Sequence, residues 1–224
     1  MKRFAFAVAA LTLGLAACEE PSTFEPHKTV AISPFMGDPV LGDPAAPVTL
    51  VEYASTTCGH CKAFHAEVFP ELKTRYIDTG KVKLQFMMMP TQPVGLALAG
   101  ESIARCAGAD RYFDVIDMLF EKQDVLFEQS RNARKLQQEL QAIGAEVGLD
   151  KDEVGTCMDS EEIVTLTHEG VKAAPADING TPSFAIDGKK LELETFEDLW
   201  AALDLAVAAA AGEPAAVPAP LPAP

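Results

Sequence analysis

Basic residues are scarce in this chain: 18 Lys and Arg stand against 33 Asp and Glu, for a formal net charge of −15. Binding to nucleic acid or to anionic headgroups relies on clustered Lys and Arg, so this balance argues against both and favours solubility. Long apolar runs are also missing. The stretch from Phe4 to Leu15, with Thr12 as its polar break, falls short of the roughly 20 apolar residues that a comfortable membrane span needs. No internal repeat of useful length is present, which excludes solenoids and arrays. Cysteine is limited to five residues, and no second pair carries zinc-site spacing.

What the amino terminus does carry is a basic head, Met1-Lys2-Arg3, then the short apolar run, then Leu15-Ala16-Ala17-Cys18. This is the layout of a secretory signal. Its end resembles the lipobox of bacterial lipoproteins, which implies cleavage before Cys18, diacylation of that cysteine, and a periplasmic protein attached to the membrane through its lipid. The alternative is an ordinary cleaved signal that leaves Cys18 as an unpaired thiol, a liability in an oxidising compartment. Residues 1–17 are therefore expected to be removed, and Pro- and Gly-rich residues 18–44 to act as a tether. The remainder is long enough for one large domain or two small ones with a real core.

The chemistry centres on Thr57-Cys58-Gly59-His60-Cys61. Before it, Val48 to Ala54 is apolar, β-branched and short, as a buried strand is. After it, Phe64, Val68, Leu72 and Tyr76 recur at helical spacing, so a helix opens near Cys58. A thiol on the first turn meets backbone N–H groups without intrahelical partners and the positive end of the helix dipole, and both lower its pKa. Cys58 is the expected nucleophile. Cys61, one turn further in, shares its face and is placed to close a disulfide with it or to resolve a mixed one. His60 is expected to donate a hydrogen bond or positive charge toward the Cys58 sulfur, which favours the reduced form and raises the reduction potential. If it does not, it is a loop histidine without influence.

Lys81 to Met89 reads as an interior strand ended by Pro90 and Pro93, its methionines as core fillers. A parallel β-α-β unit then places the cysteines at the carboxyl end of its first strand, where open α/β sheets keep their sites. Residues 91–173 are helical throughout, in pieces at Gln92–Cys106, Tyr112–Phe120, Leu136–Val147, a short helix opened by Asp150, and Glu161–Lys172. His168 has no ligand partner nearby and reads as solvated or capping. Strand signals return at Asn179 to Leu193, with Asp187-Gly188 as a hairpin turn. Thr195 is expected to cap a last helix through Phe196, Leu199, Trp200, Leu203 and Val207. Residues 212–224 are Pro and Ala with no periodic face, as a disordered tail is. With Cys18 lipidated, Cys106 and Cys157 remain, and even pairing suggests a structural disulfide; free buried thiols are the alternative.

The order strand-CxxC-helix-strand, long helical block, Gly180-Thr181-Pro182, hairpin and helix resembles the thioredoxin superfamily. Within it the chain is similar to the DsbA-like thiol:disulfide oxidoreductases, over roughly residues 45–210. The resemblance implies an α/β thioredoxin-like fold (45–90 and 174–211) with an inserted helical domain (91–173). It implies that Cys58 attacks and Cys61 resolves, that Pro182 is a cis-proline beside the disulfide, and that Thr181 offers its backbone to a bound peptide. Glu52 matches a buried acidic residue of the family that assists proton transfer, although the strand Val82 to Phe86 offers no obvious lysine at the place where some DsbA proteins pair one with that Glu.

The function expected is thiol–disulfide exchange that introduces or isomerises disulfides in cysteine-containing secreted or envelope proteins. No cofactor or metal is required, a membrane redox partner resets the cysteines, and the protein is a monomer. Thr181 tempers the direction of electron flow, because it resembles the isomerase side of the family, and a thioredoxin-like reductase is the alternative. A metal-binding lipoprotein using Cys58, His60, Cys61 and His65 and a redox-inert peptide-binding module are further readings. Bound metal and activity on a disulfide substrate separate them.

Overall fold

The computed structural model describes residues 23–212. The signal, the lipidation site Cys18 and the tail beyond Gly212 lie outside them.

Five strands form one mixed sheet in the order β1-β3-β2-β4-β5. These are β1 (Val40–Leu41), β2 (Val48–Ala54), β3 (Val82–Met88), β4 (Ser183–Ile186) and β5 (Lys189–Lys190). β2 and β3 pair in parallel, with Glu52 opposite Phe86, while β2 and β4 pair antiparallel, with Glu52 opposite Phe184. The parallel pair requires a crossover, supplied by α1 (Gly59–Glu67), α2 (Phe69–Leu72) and a π-helical turn at Lys73–Ile77. β3 alternates buried and half-buried residues along its whole length, so it faces packed elements on one side and a partly covered surface on the other.

The helical block holds α3 (Val94–Cys106), α4 (Tyr112–Glu121), α5 (Gln123–Gln129), α6 (Ala133–Glu146), α7 (Lys151–Met158) and α8 (Glu161–Ala173). The short α5 lies between the pieces that the helical period marks, within the span expected to be helical. Asp150 caps α7 by accepting from the backbone N–H of Asp152 and Glu153, while the Glu153 carboxylate accepts from the Asp150 N–H, a complete capping box. One apolar core runs without a break from Leu50, Leu84 and Phe86 of the sheet through Phe64 of α1 to Ile103, Ile116 and Ile143 of the block. The inserted helices are therefore continuous with the sheet's own core. Cys106 at the end of α3 is bonded to Cys157 of α7, joining residues 51 apart in sequence.

The hairpin turns at Asp187 and Gly188, both at positive φ (50° and 73°), the geometry that Asp-Gly adopts readily. α9 (Glu197–Ala210) then buries Leu199 and Leu203. Thr195 does not cap it. Phe196 stands at the N-cap without a side-chain bond, and the Asp198 carboxylate of the first turn accepts from the backbone N–H of Glu194 and Thr195 and from the Thr195 hydroxyl, which ties the preceding loop to the helix.

Residues 23–44, expected to be tether, are bound to the domain. Gln137 exchanges two hydrogen bonds with the Glu25 backbone (2.5 and 3.0 Å), and the Val30 N–H donates to the Thr156 hydroxyl. The buried Arg105 guanidinium donates to the carbonyls of Phe35 and Gly37 while paired to Glu101 at 2.6 Å. This strap leads into β1, which closes the sheet edge beyond β3. Among the described residues no helix is long and apolar enough to cross a membrane.

Candidate active site

Cys58 is the N-cap of α1, with extended backbone (φ −92°, ψ 123°), and its sulfur accepts from the Cys61 backbone N–H at 3.4 Å. The local sequence explains the placement. β2 is followed by the hydroxyl-bearing Ser55, Thr56 and Thr57, and the chain turns there through hydrogen bonds of the Ser55 and Thr57 hydroxyls rather than continuing the ladder. Ser55 and Thr57 hydroxyls lie 3.0 Å apart, and Thr57 reaches the hydroxyl and carbonyl of Thr91 across the cleft (2.8 and 3.0 Å). From the helical block, Gln123 donates to the carbonyls of Thr56 (2.8 Å) and Cys58 (3.1 Å), which fixes the turn from its other side.

The two thiols occupy different environments. Both are unbonded, Cys58 half-buried and Cys61 fully buried. Cys58 is lowered to about 5 from an ordinary value of 9.0, first by a hydrogen bond from the Cys61 thiol. Burial opposes this, and the Thr181 side chain and the backbone N–H groups of Cys61 and His60 add to the lowering. Cys61 is pushed strongly up, by its hydrogen bond to Cys58, by burial, and by the charges of Cys58 and Glu52, with only a backbone contact at Ser55 pulling down. At neutral pH the pair thus holds one thiolate, at the exposed end, and one proton, at the buried end.

The Thr181–Pro182 peptide bond is cis, and the loop it belongs to lies against Cys58. As a thiol, Cys58 donates to the Thr181 carbonyl at 3.3 Å. Ser183, just beyond, turns its hydroxyl onto the Gly180 carbonyl at 2.8 Å and holds the loop. A shallow cleft lined by Pro182, Phe184, Leu191, Leu193 and Phe196 opens on one side of this loop, and Met89, Thr91, Ile178 and Gly180 line another on its far side.

Glu52, Cys58, Cys61, Thr181 and Pro182 are therefore brought to one end of the sheet. His60 is adjacent but turned out. Its side chain is exposed and makes no hydrogen bond to Cys58; only its backbone N–H favours the thiolate. Cys106 and Cys157 are buried apart from the site, with Ile163.

Glu52 is fully buried, and its partner is a residue that sequence reasoning considered only as a metal ligand. The His65 Nε2 lies 3.1 and 3.2 Å from the two Glu52 oxygens. Its ring is stacked between Phe69 and Phe120 (centroids at 4.7 and 4.2 Å), and Nδ1 faces Asp117 of α4 at 3.7 Å. Burial pushes the imidazolium down, but the Glu52 charge, aided by Asp117, outweighs this and holds it at about 9. The missing lysine of β3 is thus replaced by a histidine from α1. A signal for it was present: His65 is four residues after Cys61 on one helical face, and a buried carboxylate under that face needs a cation.

The comparisons agree with this geometry. The thioredoxin family model matches residues 36–205. A protein of Rickettsia prowazekii, provisionally named a protein-disulfide oxidoreductase, is 30% identical over 174 residues, covering 76% of this chain and 61% of that protein. The chain thus spans about three fifths of the length of the curated relatives it matches first. Disulfide bond formation protein D of Bacillus subtilis is 39% identical over 90 residues, 39% of this chain and 40% of that one. The solved structure of alpha-DsbA1 from Wolbachia pipientis has a TM-score of 0.68 at 29% identity and covers 80% of this chain and 95% of that chain. The family match over most of the chain, the CxxC at the amino end of α1, the cis-proline loop and the helices inserted between β3 and β4 together show that the chain belongs to the thioredoxin family, in its DsbA-like branch.

Proposed function

We propose that this protein is a thiol:disulfide oxidoreductase that introduces or isomerises disulfides in cysteine-containing secreted or envelope proteins. The observation that carries the reading is the asymmetry of the pair: an accessible Cys58 at about 5, against the cis-proline loop, above a buried Cys61 held protonated. A stable thiolate is a good leaving group, and stabilising the reduced form raises the reduction potential. Both favour donation of the disulfide over its removal.

In the forward direction a substrate thiolate attacks Cys58 of the Cys58–Cys61 disulfide. That bond breaks, the electron pair goes to Cys61, and Cys61 takes up a proton. A second substrate thiol, as thiolate, attacks the substrate sulfur of the mixed disulfide and releases Cys58 as the thiolate. The substrate is oxidised by two electrons and the protein reduced by two. Thr181 and Pro182 border the sulfur, where the Thr181 backbone suits an extended peptide adding as a strand, its carbonyl released from Cys58 once that sulfur has lost its proton or is bonded to substrate. A membrane redox partner reoxidises the cysteines. Cys18 carries the lipid that anchors a monomer facing the periplasm, a reading that rests on Leu15-Ala16-Ala17-Cys18.

The test is oxidative refolding of a reduced, unfolded disulfide protein, with the potential of Cys58/Cys61 set by equilibration against glutathione. We expect catalysed recovery of native disulfides and a potential well above the thioredoxin value of about −270 mV. A potential near that value, with an ordinary Cys58 pKa, makes the protein a reductase.

A further inference from the structure

Closing the Cys58–Cys61 disulfide requires Cys61 to lose its proton from a fully buried position. Cys61 is fully buried, and so is Glu52, whose charge is close enough to bear on the Cys61 thiol. The Glu52 carboxylate is in turn held by His65, and the outward nitrogen of His65 has no hydrogen-bond partner, facing Asp117 at 3.7 Å. Asp117 belongs to α4 of the helical block and its side chain is half exposed. Taken in order, Cys61 of α1 feels the charge of Glu52 of β2, Glu52 pairs with His65 of α1, and His65 faces Asp117 of α4 at the surface.

We propose that His65 and Asp117 are positioning residues for the Cys61 step: Asp117 orients and charges the His65 ring, and His65 keeps Glu52 an ionised acceptor for the Cys61 proton. This rests on the exchange reading above and adds to it the residues that set the pH range of the step in which Cys61 resolves a mixed disulfide and closes the Cys58–Cys61 bond. Attack by Cys61 on a Cys58 mixed disulfide forms Cys58–Cys61, breaks the Cys58–substrate bond, and expels the substrate as thiolate, while the Cys61 proton passes to Glu52.

The surroundings make the pairing obligatory. Among the described residues, the charged groups facing the ring are Glu52 from β2 and Asp117 from α4; α2, β3 and α4 otherwise present Phe69, Phe86 and Phe120. A carboxylate buried without a cation takes up a proton rather than remain charged, and a protonated Glu52 has no capacity for the Cys61 proton. The pKa of about 9 keeps His65 charged across the working range.

The experiment mixes the reduced protein with one equivalent of 5,5′-dithiobis(2-nitrobenzoate) across a pH series. The dye thiolate is released first as Cys58 attacks and again as Cys61 closes the disulfide. In the wild-type protein the second phase slows only toward acid pH. In His65→Leu its acid limb moves up by at least about one pH unit and the rate near pH 6 falls about tenfold or more, within the usual reach of general acid–base effects. Asp117→Asn, a surface change that keeps the fold, moves the limb in the same direction by less. His65→Lys restores it, and the first phase keeps its profile in all three. An acid limb unmoved in either His65→Leu or Asp117→Asn overturns the proposal. The absence of a second phase in the wild-type protein instead overturns the exchange reading itself.

Discussion

The depressed pKa of Cys58 rests first on the thiol of Cys61, and that dependence is open to measurement. Cys61→Ala removes the S–H donor but keeps the backbone N–H at 3.4 Å, the Thr181 side chain and the amino end of α1. A hydrogen bond to a charged acceptor is worth ~1.5–3 kcal/mol, or about one to two pKa units. Cys58 should then rise from about 5 to about 6–7 in Cys61→Ala. Cys61→Ser, which returns an O–H donor to the same place, should bring it back toward about 5. The assay is ultraviolet absorbance of the thiolate against pH, checked by the pH dependence of alkylation. A Cys61→Ala value within about half a unit of the wild type would refute the reasoning, because the helix terminus and the loop would then hold the thiolate without Cys61.

The same shift sets a potential. At pH 7, ionisation at about 5 in place of 9.0 stabilises the reduced protein by about 2.7 kcal/mol before screening. Cys58 is part-exposed, so about half of that is a fair allowance, which raises the potential by about 30 mV. The slope is a sharper test. Between the two thiol pKa values reduction takes up one proton per two electrons, so the potential should fall by about 30 mV per pH unit, steepening to about 59 mV below pH 5. A slope of about 59 mV through neutrality would show that Cys58 is an ordinary thiol.

Four further outcomes are expected. Brief alkylation of the reduced native protein should label Cys58 and spare the fully buried Cys61, as peptide mapping would show. The Cys106→Ala/Cys157→Ala variant, whose bridge spans 51 residues, should lose up to ~4 kcal/mol on the chain-entropy model, read from denaturant midpoints. His65 is raised in the fold, so its contribution, about 3 kcal/mol, is fully present below pH 6.5 and lost as pH rises through about 9; Cys58 is lowered, so its contribution is full above 9.0 and lost as pH falls through about 5. The oxidised protein, where Cys58 does not titrate, should therefore lose thermal stability between pH 6.5 and 9 while His65→Leu does not. Gly144→Ala would set a methyl group 2.3 Å from Val154 Cγ2, and overpacking of α6 on α7 should cost ~1–3 kcal/mol of stability.

Much of the fold was legible because its signals are local. A β-branched run before a CxxC, a helical period after it, Asp187-Gly188 and the Asp150 capping box each depend on residues within one turn of each other, and each element lies where its residues put it. The strap was not legible for the opposite reason. Residues 23–39 have no period of their own, and their backbone groups are satisfied by Gln137, Thr156 and Arg105, more than 65 positions away. A segment held by partners that distant reads as tether in its own sequence. Thr195 does not cap α9 for a smaller reason: its hydroxyl donates to the Asp198 carboxylate, and Phe196 stands at the N-cap without a side-chain bond.

The candidate site divides along the same line. Cys58 and Cys61 are read from spacing, and Thr181 and Pro182 from a motif. The electrostatics beneath them is set by which side chain reaches Glu52 from another element. A lysine on β3 is a matter of sequence position, whereas burial imposes a requirement on charge: a carboxylate with no exposed surface must have a cation or give up its own charge. His65 meets that requirement from α1 because the helix that begins at Cys58 presents its fourth and eighth positions to the sheet, Cys61 and His65 together. The exchanging thiol and the charge that governs its proton are thereby fixed to one rigid element. A shift of α1 against β2 that changed one would change the other.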